Sequence, residues 1–464
     1  MFYVVINMSE SKKVIAAIAT AQAAGGVGMI RVSGEKAMEI CDKVFNAVSG
    51  QKLENSKGYR AHFGRVFDEN GDIDECVALV FKAPHSYTGE NVVELSCHGG
   101  LYVLKRVLRA VLSAGAVPAR AGEFTERAFL NGKMDLTQAE AVMDLIGAQG
   151  KQAADAALTA LGGTLSREIE SNTEKLVNVC AHLSAWVDYP DEEIEELEDE
   201  EMLNTVSEVE KSLEKLISTY DSGKVLTQGV KTAIVGRPNV GKSTLMNMLV
   251  GSQRSIVTSY AGTTRDIVED TVTLGGISLH LSDTAGIRES DDPIEAIGVD
   301  MAKDRLQKSE FVIAVFDGSE ELTKEDMDIL EFCKDKLCLG VINKTDLDVK
   351  DVKDEILKFI DTVVEISAEK LNGKDELEQA AAKLLETDRI DTTQAMLTGE
   401  RQYLATNEAL ACVREAKFAL TSGMTLDAVN VSLDCAIEKL LELTGRKASD
   451  EVVNEIFSQF CVGK

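Results

Sequence analysis

The strongest constraint on this chain lies between residues 232 and 250. There a short apolar run, Thr232 to Val235, meets Gly236-Arg237-Pro238-Asn239-Val240-Gly241-Lys242-Ser243 and then a helix-like stretch, Thr244 to Val250. A GxxxxGK[ST] loop set between strand and helix is a phosphate cradle, because the N–H groups of the loop and of the helix N-terminus point at the anion. The surrounding pattern agrees with that setting. Beyond Gly223 five apolar runs alternate with helical stretches: Thr232 to Val235, Ile277 to Leu281, Phe311 to Phe316, Cys338 to Ile342 and Val363 to Ile366. Such alternation predicts a parallel sheet with crossover helices.

The chemistry follows from what surrounds a bound triphosphate. Asn239, Val240, Gly241 and Thr244 belong to the cradle, Lys242 reaches the β- and γ-phosphates, and the Ser243 hydroxyl ligates Mg2+. Asp283-Thr284-Ala285-Gly286 closes the second apolar run, bringing a carboxylate near Mg2+ and a glycine N–H near the γ-phosphate. Thr263 and Thr264 lie upstream, in the segment expected to be a switch, where one of them completes the metal shell. Asn343-Lys344-Thr345-Asp346 follows the fourth run and selects the base: the Asp346 carboxylate accepts from the ring N–H and amino group of guanine, a donor pair adenine lacks. Ser367-Ala368 completes the base pocket from the backbone. Five elements in this order predict a GTP-binding and GTP-hydrolysing domain. Many such enzymes orient the attacking water with a glutamine directly after DxxG, but Ile287 stands there, so help must come from elsewhere. Arg288, Glu289 and Glu295 are the nearby candidates, and Glu295 reads either as an exposed switch carboxylate or as the group that positions water.

With 464 residues the chain is too long for one ordinary core, and 44% hydrophobic with 27% charged residues is a globular composition. No long apolar stretch or leader pattern is visible, so a soluble, cytoplasmic protein away from the membrane is expected. The nine cysteines and five histidines show no metal-ligand spacing and no disulfide framework. A net charge of −29 argues against the chain as a whole being a non-specific nucleic-acid coat and favours solubility or a basic partner. The first 125 residues mix short β-like runs (Val14 to Ala19, Gly28 to Val32, Ala78 to Phe81, Val92 to Ser96) with helices such as Leu101 to Ser113, an α+β pattern. From about Phe124 to Ser222, and again after about Asp388, the periodicity is helical. The fold class read from this is multidomain α/β plus α. A P-loop GTPase domain (224–387) is inserted in a discontinuous helical domain (126–223 and 388–464), and an α+β domain (1–125) precedes it. Residues 1–7 precede a second methionine, Met8, and nothing functional is read from them. The segment Asp188 to Glu201, with ten carboxylates and no basic residue, is read as a solvated face or loop rather than a binding tail. Lys105, Arg106, Arg109, Arg120, Arg127 and Lys133 form a basic stretch that either contacts phosphates or solvates a helix.

With these motifs placed, the chain resembles the MnmE family, also called TrmE, of tRNA uridine-modification GTPases over essentially its full length. The marks are the nucleotide domain between helices, Gly25-Gly26-Val27-Gly28-Met29-Ile30-Arg31, Gly122-Glu123-Phe124-Thr125-Glu126-Arg127-Ala128-Phe129-Leu130-Asn131-Gly132-Lys133, and the terminal Cys461-Val462-Gly463-Lys464. The resemblance implies a GTPase that installs aminomethyl or carboxymethylaminomethyl groups at carbon 5 of the wobble uridine of tRNAs. It implies an FAD-dependent partner of the MnmG or GidA kind, in a heterotetramer or larger assembly, and a one-carbon unit from a tetrahydrofolate derivative. That derivative would be held by the N-terminal domain, through Arg31, Glu94, Lys133 and Lys464. It further implies a homodimer, whose nucleotide domains pair around K+. The K+ ligands would be Asn239, Thr258, Tyr260 and Thr263, in a loop, Thr258-Ser259-Tyr260-Ala261-Gly262-Thr263-Thr264, that also lines GTP and from which Thr264 reaches Mg2+. Glu295 would then orient the water. Cys461 would serve the modification without an assigned nucleophilic part, the bland reading being an inert thiol. Three departures stand out: CVGK rather than CIGK at the end, Ala121 where proline is usual, and Ala23-Ala24 before the Gly25-Gly26 turn. The competing function is a regulatory RNA-associated GTPase such as a ribosome-assembly factor, which would lack the folate-type residues and the cysteine tail.

Overall fold

A computed structural model describes residues 13–188, 199–251, 270–281, 309–387 and 390–464. The chain divides into two compact units. One comprises Met1–Met143, Ser166–Glu210 and Ala405–Lys464; the other comprises Asp144–Leu165 and Lys211–Leu404.

The first unit is built on a seven-stranded sheet. Its strands are β1 (Ile15–Ile18), β2 (Val27–Ser33), β3 (Phe45–Ala47), β4 (Arg60–Asp68), β5 (Gly71–Phe81), β6 (Val92–His98) and β7 (Val117–Pro118), in the spatial order β3-β4-β5-β6-β2-β1-β7. Alternation explains which face is covered. Ile30, Val32, Val66, Ala78, Val80, Val93 and Leu95 point to one side, where Leu104, Val107 and Val111 of helix Leu101–Ser113 close the core. The expected α+β domain is present, with more sheet than the apolar runs announced. β3, β4 and the first half of β5 escaped notice because β4 is a polar strand, Arg-Ala-His-Phe-Gly-Arg, held by pairing along β5 rather than by its own hydrophobicity.

The helices Glu123–Leu130 and Asp450–Ser458, distant in sequence, share a cluster containing Leu136, Phe457 and Phe460, with Phe129 packed against it. Ser449 caps the second of these helices by accepting from the Val452 N–H. Burying a side chain the size of Phe457 contributes about 2–3 kcal/mol, enough to anchor this terminal helix and aim the residues after it. The sequence predicts no disulfide framework, and one pair of cysteines lies close: Cys412 and Cys435 face each other, with Cα atoms 6.0 Å apart, between helices Glu400–Thr421 and Leu426–Thr444. The short connection between those helices brings residues 23 apart in sequence within disulfide reach, which spacing alone does not reveal.

The second unit holds a six-stranded sheet: β8 (Val230–Val235), β9 (Asp270–Leu274), β10 (Ile277–Leu281), β11 (Phe311–Asp317), β12 (Cys338–Asn343) and β13 (Thr362–Glu365), in the order β13-β12-β11-β8-β10-β9. All five predicted runs are strands, mutually parallel. β9 was not anticipated and runs antiparallel to β10 across the Gly275-Gly276 turn. It pairs at the edge, where Asp-Thr-Val-Thr-Leu needs only one apolar face. β11 is buried along its whole length because its two faces serve two cores. Ile313 and Val315 pack with Leu245, Leu249 and Leu377, whereas Val312, Ala314 and Phe316 pack with Leu330, Ile342 and Ile356. Strand order reverses between β8 and β11, so a crevice opens at their carboxyl ends.

Candidate functional site

The loop leaving β8 lies at that crevice and passes into the helix Lys242–Gly251. Lys242 Nζ donates to the carbonyls of Gly236 (2.6 Å) and Arg237 (2.8 Å), so the loop wraps its own lysine. Gly241 takes φ of 98°, and a Cβ there would collide with the Asn343 amide. Asn239, exposed at the apex, also adopts a positive φ of 65°. Strain of this kind collects where a loop is shaped for a ligand.

Asn343, at the end of β12, ties three predicted segments together. Its Nδ2 donates to Val240 O (2.9 Å) and its Oδ1 accepts from Ala368 N (3.0 Å). Thr345 N donates to Ile366 O, and Ser367 Oγ donates to Asp346 Oδ1 at 2.6 Å. That last bond is the main cause holding the Asp346 carboxyl below the ordinary carboxylate range, so a charged acceptor is presented. Cradle, base-selecting motif and Ser367-Ala368 are thus brought into one hydrogen-bonded assembly. Thr258, Ser259, Tyr260, Ala261, Gly262, Thr263, Thr264, Asp283, Thr284, Ala285, Gly286, Ile287, Arg288, Glu289 and Glu295 lie outside the described residues.

Sequence reasoning missed the carboxylates that brace this assembly. Lys344 Nζ donates to Asp317 Oδ2 at 2.6 Å, while the Arg237 guanidinium pairs with Glu320 and with Asp326 at 3.2 Å. Asp326 also caps the helix Lys324–Cys333 in a capping box with Thr323. No nucleotide-binding motif marks these residues. The capping-box spacing was the signal available for Asp326, and Asp317 had none.

A second constellation forms in the first unit from both ends of the chain. β2 and β6 pair Arg31 directly opposite Glu94, and Arg31 Nε donates to Glu94 Oε1 at 2.9 Å. Arg31 Nη1 donates to the carbonyl of Gly463 at 3.2 Å. The guanidinium also lies 5.4 Å from the Tyr87 ring centre and 5.7 Å from that of Phe124. The tail reaches this point because Val462 bridges Ala121 and because Gly463, at φ of 102°, fits against Ile18 where a side chain would clash. Burial pushes the Lys464 ammonium below the usual lysine range, aided by the Arg31 charge and opposed by Glu94 and Cys461. Arg31, Glu94, Lys464 and Cys461 are therefore neighbours. Lys133 sits differently: its stem lies on Gly89 and its Nζ donates to Pro84 O at 3.1 Å, on the loop that carries Tyr87.

The basic stretch does not form one patch. Arg106 is engaged by both Asp68 oxygens, Arg120 pairs with Glu126, and Arg127 is buried between Glu90 and Glu123. Carboxylates on neighbouring elements, and for Arg127 also on its own helix, neutralise these arginines, whereas Lys105 and Arg109 are exposed on their helix.

Among the described residues no helix is long and apolar enough to cross a membrane. Two family models match the chain: "GTP-binding protein TrmE N-terminus" over residues 14–133 and "MnmE helical domain" over residues 136–461. Two curated relatives carry the name tRNA modification GTPase MnmE. The one from Alkaliphilus metalliredigens is 41% identical over 455 residues, and the one from Clostridioides difficile is 39% identical over 453; each comparison covers 97% of this chain and 99% of the relative. Among solved structures, Era of Aquifex aeolicus bound to GDP and AlF4− is 29% identical over 39% of this chain and 66% of that one. Its TM-score is 0.26, too loose a superposition to bear on the fold. Identity near 40% along almost the whole length, together with family matches over residues 14–133 and 136–461, leads to one assignment: the chain belongs to the MnmE family of tRNA modification GTPases.

Proposed function

We propose that this chain is a GTPase that, with an FAD-dependent partner of the MnmG or GidA kind, installs aminomethyl or carboxymethylaminomethyl groups at carbon 5 of the wobble uridine of tRNA. The observation that carries the GTPase part is Asn343, whose single side chain links the phosphate cradle to Ala368 of the base pocket. Lys242 would exchange its loop carbonyls for the β- and γ-phosphates, and Asp346 would accept the paired donors of guanine. Ser243, in the first turn of its helix, and Thr264 would hold Mg2+, whose charge offsets that of the phosphates.

K+ would be held by Asn239, Thr258, Tyr260 and Thr263. The exposed amide of Asn239 at the loop apex suits an oxygen ligand to a cation shared between two copies. That ion supplies the positive charge an arginine finger otherwise brings. Glu295 would orient the water in place of the glutamine that Ile287 displaces.

The folate reading rests on the convergence of Arg31, Glu94 and Lys464 beside two aromatic rings. Two cations, a carboxylate acceptor and apolar walls fit a flat heteroaromatic ligand with an acidic tail. Tetrahydrofolate supplies the one-carbon unit; Lys133 would reach it from the Tyr87 loop, and Cys461 stands beside Lys464. Homodimerisation is supported by the open face of the first sheet, where Phe63 and its cross-strand neighbour Val77 are exposed. We assign 1–125 to folate binding and dimerisation, 126–223 and 388–464 to one helical domain, and 224–387 to a nucleotide domain inserted in it. The protein would act in the cytoplasm.

The test is nucleoside composition of tRNA from cells lacking this chain, complemented by the wild-type protein or by Glu295→Ala. Loss of the modified wobble uridine, restored by the wild-type protein and not by the variant, is expected. An unchanged nucleoside profile in the deletion strain overturns the reading.

A further inference from the structure

We propose that Asp317 is a positioning residue for guanine-nucleotide binding, acting through Lys344. This inference rests on reading residues 343–346 as the base site. A lysine in such a motif lays its aliphatic stem along a flat base, yet that stem has four rotatable bonds and loses about 2 kcal/mol of rotamer freedom when fixed. Something must hold it before the base arrives.

The parallel register of β11 and β12 pairs Asp317 with Asn343, one residue before Lys344. From there Asp317 Oδ2 accepts from Lys344 Nζ at 2.6 Å. The other oxygen, Oδ1, is fixed by Ser319 through its backbone N–H (3.0 Å) and its hydroxyl (2.7 Å). The turn itself is sewn to the base-site strand, since Gly318 N donates to Asn343 O and Lys350 N donates to Gly318 O, both at 2.8 Å.

This pair differs from a surface ion pair. The Asp317 side chain is only 4% exposed, against 32% for Lys344, so the carboxylate is a fixed buried post and the lysine is the arm it holds. Burial alone pushes the Asp317 carboxyl up, but the hydrogen bonds from Lys344 and Ser319 outweigh it and leave the group below the usual range. The post therefore stays ionised throughout the neutral pH range. A buried, doubly anchored carboxylate aimed at one lysine preorganises that lysine, and preorganisation appears in affinity rather than in the chemical step.

The experiment is a double-mutant cycle on the full chain, with a fluorescent GDP analogue and GTP as probes. Asp317→Asn keeps the shape and removes the charge. We expect it to weaken GDP and GTP binding about tenfold, as loss of one charge-assisted hydrogen bond would, while kcat at saturating GTP stays within about twofold. In a Lys344→Ala background the same change should have no further effect on affinity. An equal loss in that background, or no loss in the wild type, overturns the proposal. Full nucleotide affinity in Lys344→Ala alone overturns the base-site reading instead, which keeps the two failures apart. Should Asp317→Asn not fold, Ser319→Ala removes one anchor from Oδ1; it is expected to weaken binding two- to threefold, about the partial loss of one hydrogen bond, and again only when Lys344 is present.

Discussion

The nucleotide site and the Arg31 site both gather charged groups on a sheet, the first beyond the ends of strands and the second within paired strands, and they are assembled on different scales. Around Gly236–Ser243 the shape comes from consecutive backbone: a loop, three positive-φ residues and a helix start, all within eight positions. At Arg31 it comes from side chains that meet across the chain, Arg31 and Gly463 being 432 residues apart in sequence. A consecutive loop can be recognised from its spelling. A site made by folding both ends together cannot, because no spacing rule connects its parts, and only the family resemblance pointed to it.

That contrast predicts how each site breaks. The largest effect should come from Asp346→Asn, which replaces the charged acceptor opposite two guanine donors. GTP affinity is expected to fall roughly 10²-fold or more, with relative preference shifting toward xanthosine triphosphate in competition binding, and the tail should stay docked. Next, Arg31→Ala removes a guanidinium whose side chain is 14% exposed, and takes from Glu94 its ion-pair partner and from the Gly463 carbonyl this donor. A cost of about 2 kcal/mol is expected, seen as faster alkylation of Cys461 while GTP turnover is unchanged. Slowed turnover in that variant would mean the two sites are not as separate as their construction implies.

The pH response sharpens the same comparison. Lys464 has its proton affinity lowered in the folded protein. Between that lowered value and the ordinary lysine value the unfolded chain therefore holds more protons, and by linkage stability rises with pH across this window. Cys461 alkylation, corrected for thiol ionisation, should slow as pH rises through it, and amine labelling of Lys464 should begin below the usual lysine range. In Arg31→Ala the Lys464 labelling curve should move back up. Nucleotide affinity should show no matching change, since Asp346 and Asp317 are both held below the ordinary carboxylate range. The smallest effect belongs to the exposed Arg65, paired with Asp72 and Glu75 on the outer strands. Arg65→Ala should alter neither affinity by more than about twofold, because exposed pairs of this kind are nearly neutral.

The legibility of the fold follows the same division. All five parallel strands of the second sheet were visible because buried parallel strands are continuous apolar runs, whereas β4 and β9 were not, their residues being mostly polar and their pairing set by neighbours. Lys344 and Asp346 were readable from their motif, but Asp317 became visible only through the register of β11 on β12. The basic stretch misled for the opposite reason: its carboxylate partners Asp68, Glu90 and Glu126 lie on other elements or other turns. The approach of Cys412 to Cys435 likewise depends on how two helices meet rather than on cysteine spacing.

The proposed folate site brings Arg31, Glu94 and the tail lysine together from both ends of the chain. Its most direct test is equilibrium binding of a reduced folate to the full chain, compared with Lys464→Ala and with GTP turnover measured on the same preparations. Saturable binding by the wild type and a loss of about tenfold or more in the variant are expected, as for one charge-assisted contact, with turnover unchanged. Equal folate affinity in both proteins, or no binding by the wild type, would contradict it.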